Sequence, residues 1–139
     1  MLTCSPRRAS AHALTSPRLP PGRTLQVPGG TQALNRTELV PVVFGDHRGF
    51  VPRPSLLGAI VGKSVAVEVD DVPEAQRLDL ALLLSLVEDP LAMAGELTRK
   101  DRRRLQARSE MLDASQQAWA SLPDGSADRG RAALRILVR

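Results

Sequence analysis

The sequence is poor in the residues that most chemistries need. Its 139 residues include one cysteine (Cys4), two histidines (His12 and His47), two phenylalanines, one tryptophan and no tyrosine. A lone cysteine excludes an internal disulfide, and with two histidines beside it a Cys/His zinc site is close to excluded. We therefore expect a reducing, cytoplasmic setting and no metal. With so few aromatic rings, the base-stacking platforms that bind single-stranded nucleic acid are out of reach. The apolar stretches 56–67 and 80–87 are too short or carry a charge, against roughly 20 apolar residues for a spanning helix, so no membrane association is expected. There is no internal repeat.

Acids are missing from one end. Residues 1–37 hold five arginines (Arg7, Arg8, Arg18, Arg23, Arg36) and no acid, residues 38–98 hold ten acids against four bases, and residues 99–139 hold ten bases against five acids. The net charge of +4 thus comes from two basic ends around an acidic middle. Of the nineteen bases only Lys63 and Lys100 are lysine, a skew we attribute to codon bias before phosphate binding.

Eight of the eleven prolines precede residue 55, and the chain changes character there. Residues 1–22, rich in Arg, Ser and Pro, read as a disordered basic tail with little apolar surface to bury. Residues 23–52 read as short strands: Thr24–Val27, ended by Pro28-Gly29-Gly30, then Glu38–Phe44, a turn at Gly45-Asp46-His47, and Arg48–Val51. Pro41 confines its strand to an edge or a bulge. Residues 53–139 read as helical: Pro54 opens a helix through Val69, and Pro73 opens another to about Glu88, whose Leu80–Val87 section is apolar nearly all round and is expected to be buried. A turn spans Leu91–Leu97. Thr98 and Asp101 resemble a capping box starting a helix to about Leu112, and short helices follow near Ser115–Leu122 and Ala127–Val138. The expected class is α+β, a hairpin within about 24–51 followed by a helical bundle over about 54–138. Trp119 is expected to anchor the C-terminal helices.

Two ionisable groups stand where apolar residues are expected. Lys63 is the only charge between Leu56 and Val67, and Asp79 lies between Leu78 and Leu80. On adjacent antiparallel helices they pair with each other or the Lys stem snorkels to water; the other reading is that both are held at a pocket rim to bind phosphate and order a base or metal. The run Arg99-Lys100-Asp101-Arg102-Arg103-Arg104, with Arg108, is the densest basic patch. On a continuous helix Lys100, Arg104 and Arg108 share one face, which is either a phosphate-contacting surface for RNA or DNA or a solvated helix surface. Gly29-Gly30-Thr31 lacks the Lys of a phosphate loop, Asp46-His47 has no nucleophile motif beside it, and the acids of Val65–Glu74 lack calcium-loop spacing.

From about Arg23 to Arg139 the chain resembles the downstream part of a bacterial nucleotidyltransferase-like family related to the abortive-infection, AbiEii-type toxins. The residues that carry the resemblance are Val27-Pro28-Gly29-Gly30-Thr31-Gln32-Ala33-Leu34, Val51-Pro52-Arg53-Pro54-Ser55-Leu56-Leu57 with Lys63, Glu74-Ala75-Gln76-Arg77-Leu78-Asp79-Leu80, and Arg99-Lys100-Asp101-Arg102. The resemblance implies an incomplete nucleotidyltransferase-like fold in which residues 23–52 are a remnant of the core. It implies that Lys63 and the Arg77-x-Asp79 element lie beside a nucleotide site, with Lys63 and Asp79 as catalytic candidates and Lys63 and Arg77 as nucleotide-binding ones. An intact relative would use magnesium and a nucleoside triphosphate, two metals clamping the attacking and leaving oxygens.

The chain departs from that pattern. Such enzymes carry a Gly-Ser element and an Asp-x-Asp pair, but no Asp or Glu precedes Glu38 here, so those carboxylates are absent from where the resemblance would put them. The Ser/Thr expected shortly after the lysine is missing, since Ser64 is adjacent and Val65-Ala66-Val67 follow, and a second Asp after Asp79 is replaced by the Leu run. The expectation is a truncated protein without transferase activity alone, requiring no cofactor, whose partner is a missing N-terminal half or an antitoxin-like protein. The alternative is a helical interaction module that binds RNA or a partner protein through Lys100, Arg102, Arg103, Arg104 and Arg108.

Overall fold

A computed structural model describes residues 34–139. The expected tail 1–22 and the expected strand Thr24–Val27 lie outside the described residues. What is described is α+β: an antiparallel β arm followed by helices, none of them long and apolar enough to cross a membrane.

The arm consists of β1 (Thr37–Phe44) and β2 (His47–Pro54), paired from Thr37↔Pro54 to Phe44↔His47 with no bulge. Gly45 takes φ +57°, and with Asp46 it forms the two-residue loop, Gly first, that suits a type II′ hairpin turn. Phe44 and His47, flanking that loop, form a hydrogen-bonding pair, so alternation makes Pro41–Phe50 and Leu39–Pro52 non-hydrogen-bonded pairs. The missing N–H of Pro41 and of Pro52 therefore falls on the outer edges and costs the ladder nothing. Among the described residues both strands are edges, one of the two placements expected for Pro41.

Helix α1 (Leu56–Val69) starts at Ser55, whose hydroxyl accepts from the Gly58 N–H at 3.2 Å. Pro54 accordingly ends β2 and is not the first helical residue. Helix α2 (Pro73–Ser85) begins on Pro73 and packs antiparallel to α1 on one side and against α6 on the other. It stops three residues before the expected Glu88. Residues 91–97, expected as a turn, form most of a short helix instead, α3 (Pro90–Gly95), capped by the Asp89 carboxylate on the Leu91 and Ala92 N–H groups.

The expected capping box is present: the Asp101 N–H donates to the Thr98 hydroxyl at 3.2 Å, the Thr98 N–H returns a bond to the Asp101 carboxylate at 3.0 Å, and α4 (Arg99–Gln106) follows. This helix does not run to Leu112. It breaks at Ala107 and the chain resumes as a 3-10 turn, Ser109–Leu112. The reason is burial: Leu105 and Met111 are both fully enclosed, yet six residues apart they would point about 120° from each other on a continuous helix. Two more helices, α5 (Gln117–Ala120) and α6 (Ser126–Leu137), complete the body.

The core gathers Ile60, Leu80, Leu84, Leu105, Met111, Leu134 and Leu137, all with 0% exposure. Trp119 is buried among them, and its indole N–H donates to the Met111 carbonyl at 2.9 Å. Gly130 of α6 lies against that ring so closely that a Cβ there would meet Cζ3 at 2.7 Å. Trp119 thus anchors the C-terminal helices, as the sequence suggested.

Candidate functional site

Lys63 of α1 and Asp79 of α2 come together. The ammonium lies 2.7 Å from the Asp79 carboxylate and donates to the Gln76 side-chain oxygen at 2.7 Å. Gln76 in turn donates to Asp70 at 2.6 Å, and the Val72 N–H donates to the same residue at 2.8 Å. These bonds, the Val72 one foremost, hold the Asp70 carboxyl below its ordinary range. Of the two readings, the structure shows the ion pair, with both side chains partly open to solvent.

Arg77 is not brought to them. Two residues before Asp79 on the same helix, it points to a different side. It reaches Glu74 at 2.6 Å and Glu110 of the 3-10 turn at 3.8 Å. Among the described residues no group of three or more His, Cys, Asp or Glu side chains could hold a metal ion.

Half of the basic run, Arg102, Arg104 and Arg108, is engaged within the molecule, and Arg99 is exposed. The Arg102 guanidinium donates to the carbonyls of Leu137 and Ala94, each at 3.2 Å, serving the last turns of α6 and α3, where free carbonyls and the helix dipole favour a cation. Arg104 stands 3.9 Å from Asp101 and Arg108 3.9 Å from Glu110, both side chains mostly buried. Because α4 ends at Gln106, Lys100, Arg104 and Arg108 do not form the continuous face that a longer helix would give them. Lys100 and Arg103 are exposed.

What the structure does expose is apolar. On the arm Leu39, Val43, Phe44 and Phe50 stand out, Phe44 at 84% exposure. On α2 the expected all-round burial of Leu80–Val87 does not hold: Leu80, Ala81, Leu84 and Val87 are buried, but Leu82 is 48% and Leu86 54% exposed. Leu78, Leu82 and Leu86, four apart, make an outward stripe with Asp79 beside it. The stripe joins two clefts. One, of about 370 Å³, lies between Leu78 and α5 near Ala118 and Ser121. The other, of about 380 Å³, lies at the root of the arm, between Arg53 and Pro54 on one side and Leu56, Ala59, Leu83 and Leu86 on the other. The Arg53–Glu38 ion pair, 2.7 Å, forms its rim.

Sequence reasoning missed this surface, although a signal was there. Val40-Pro41-Val42-Val43-Phe44 is apolar without alternation, which in a strand means apolar residues on both faces. Among the described residues no second layer covers the two-stranded arm. In comparisons with known proteins, no family model, no curated protein and no solved structure matches this chain.

Proposed function

We propose that this chain is a docking module of a nucleotidyltransferase-like protein, without transfer chemistry of its own, that works by packing its apolar surface against a nucleotidyl-transfer core. The observation that carries the reading is the outward stripe of α2. A helix that is apolar nearly all round belongs inside a larger core, yet here Leu82 and Leu86 face solvent. Contiguous exposed apolar surface marks an interaction site, and Leu86 brings the stripe to the cleft at the root of the arm.

The resemblance supplies the occupant. Asp79 and Leu82, spaced i and i+3, share one side of α2, and Leu86, the residue that caps its end, continues it, so a core seated on the stripe would have the Lys63–Asp79 pair at its margin. That is where the resemblance expects a lysine and a carboxylate, beside the nucleotide. The arm joins by its faces, since Pro41 and Pro52 interrupt both edges as templates for strand addition. RNA binding through the basic run has less to work with, because Arg102, Arg104 and Arg108 are engaged within the molecule.

The test starts from the DNA directly upstream of codon 1, translated in three frames for a Gly-Ser element followed by Asp-x-Asp. Co-expressed with this chain, that segment should form a one-to-one complex with magnesium-dependent nucleotide transfer. Leu82→Asp with Leu86→Asp should abolish the complex, while Asp79→Asn should lower transfer and leave the complex intact. Labelling by this chain alone, abolished by Asp79→Asn, would overturn the proposal. So would the lack of any such upstream segment together with salt-sensitive RNA retention that drops when Arg102, Arg103 and Arg104 become Gln.

A further inference from the structure

The arm meets the helical body at its root, where the chain crosses twice, at Arg36–Thr37 and at Pro54–Ser55. A hydrogen bond from the Ser55 N–H to the Arg36 carbonyl, 2.6 Å, ties the two crossings together. Beyond the root, eight consecutive residue pairs make the hairpin a unit. Every residue of β2 is exposed, and of β1 only Val40 is partly covered. Packing therefore does little to fix the angle at which the arm leaves the body.

A polar contact of long reach does more. The Arg36 guanidinium extends to α4, 65 residues away, and meets the Asp101 carboxylate at 2.7 Å and the Glu96 carbonyl at 3.3 Å. Asp101 is fully enclosed. The Thr98 hydroxyl and N–H donate to the same carboxylate oxygen, Oδ2, at 2.6 and 3.0 Å, so the anchor is fixed by the same capping box that starts α4. The root also lies directly on α1, where a Cβ at Gly58 would stand 3.1 Å from the Arg36 Cβ. Arg36 thus precedes the arm by one residue, and its partner belongs to the body.

We infer that Arg36 and Asp101 form a latch that sets the angle of the β arm, and that the arm swings as a unit about its root when the latch is broken. The cleft between Pro54, Leu56, Leu83 and Leu86 lies in the angle so fixed. The latch consequently governs the width of that cleft and whether the apolar residues of the arm and of α2 can engage one partner together. The inference concerns this chain alone and stands whether or not the occupant is a nucleotidyl-transfer core.

Spin labels at Asp46→Cys, on the loop of the arm, and Asp124→Cys, ahead of α6, in a Cys4→Ser background would measure the angle as a distance distribution. We expect one narrow distance in the parent and a several-fold broader distribution in Arg36→Gln, with the cooperative helical melt retained. The pair Arg36→Met with Asp101→Asn, which removes both charges at once, should broaden it equally and keeps the test readable if the single variant folds poorly. Arg53→Gln, which breaks only the exposed Glu38–Arg53 pair, should leave the distance narrow. An unchanged distribution in the Arg36→Gln and paired variants overturns the latch, as does equal broadening in Arg53→Gln. Loss of the helical melt in both Arg36 variants overturns it too, since the contact would then belong to the folding of the body.

Discussion

The arm and the helical body are built from similar apolar residues and use them in opposite ways. In the body, Leu80, Leu84, Leu105 and Leu134 are fully enclosed, and Trp119 rests against Gly130 with no room to spare. In the arm, Leu39, Val43, Phe44 and Phe50 are each more than two-thirds exposed. A sheet face gains stability only from a second layer, and an isolated hairpin is marginal in water. The body can therefore be understood from its own contacts, whereas the apolar residues of the arm have no covering layer among the described residues. Helix α2 belongs to both regions, closing the core with Leu80 and Leu84 while presenting Leu82 and Leu86 outward.

Substitution on the two sides of α2 should break this comparison most sharply. Leu84→Ala leaves a cavity in an enclosed site and should cost about 2–5 kcal/mol, read as a large drop in the thermal midpoint. Leu82→Ala, one turn face away, should stay within about 0.5 kcal/mol of the parent, as exposed sites do. A comparable loss at both positions would mean that the outward stripe is structural.

Gly130→Ala should come next. Its methyl group would lie inside the contact distance of the Trp119 ring, and overpacking of this kind costs about 1–3 kcal/mol. The indole fluorescence should shift in the same variant, while Gly49→Ala in the arm, where nothing lies within 4 Å of the added carbon, should leave the fluorescence unchanged.

Acid should weaken the joint between the two regions. Burial raises the Asp101 carboxyl, but bonds from the Thr98 hydroxyl and N–H and from Arg36 outweigh it and leave the group below its ordinary value of 3.8. A carboxyl lowered in the folded state contributes stability that is complete above its unfolded pKa and is lost as pH falls through the folded one. The midpoint of thermal unfolding should therefore decline below about pH 3.8, and Asp101→Asn should remove part of that slope.

The smallest effect on folding is expected at the end of the arm. Phe44→Ser should change stability by no more than about 0.5 kcal/mol and should lower the binding of a hydrophobic dye measurably, since Phe44 is the most exposed large apolar side chain of the described residues. A marked destabilisation would show that the arm packs on the body after all.

Much of this was legible in the chain. Pro73 and Thr98 with Asp101 mark helix starts because a cap acts within three residues, and the turn at Gly45-Asp46 marks the hairpin for the same reason, whereas the start on Ser55 in place of Pro54 and the short helix capped by Asp89 did not show in the sequence pattern. The pairing of Lys63 with Asp79 was one of two readings, and the antiparallel α1–α2 packing chose it. The basic run was legible as charge but not as contact: nothing within a few residues of Arg102 announces that its guanidinium serves Leu137, 35 residues on. The end of α4 was hidden likewise, because it depends on Leu105 and Met111 finding the same core.

The sequence by itself determined where the hairpin turns, where the helices on Pro73 and Thr98 begin, and that no internal disulfide can form, since these follow from glycine and proline geometry, from caps, and from composition. Only the tertiary structure decided which leucines of α2 meet water, which arginines are engaged, and that Arg36 ties the arm to the start of α4. Those outcomes depend on groups far apart in the chain, and local propensity carries no information about which of them will meet.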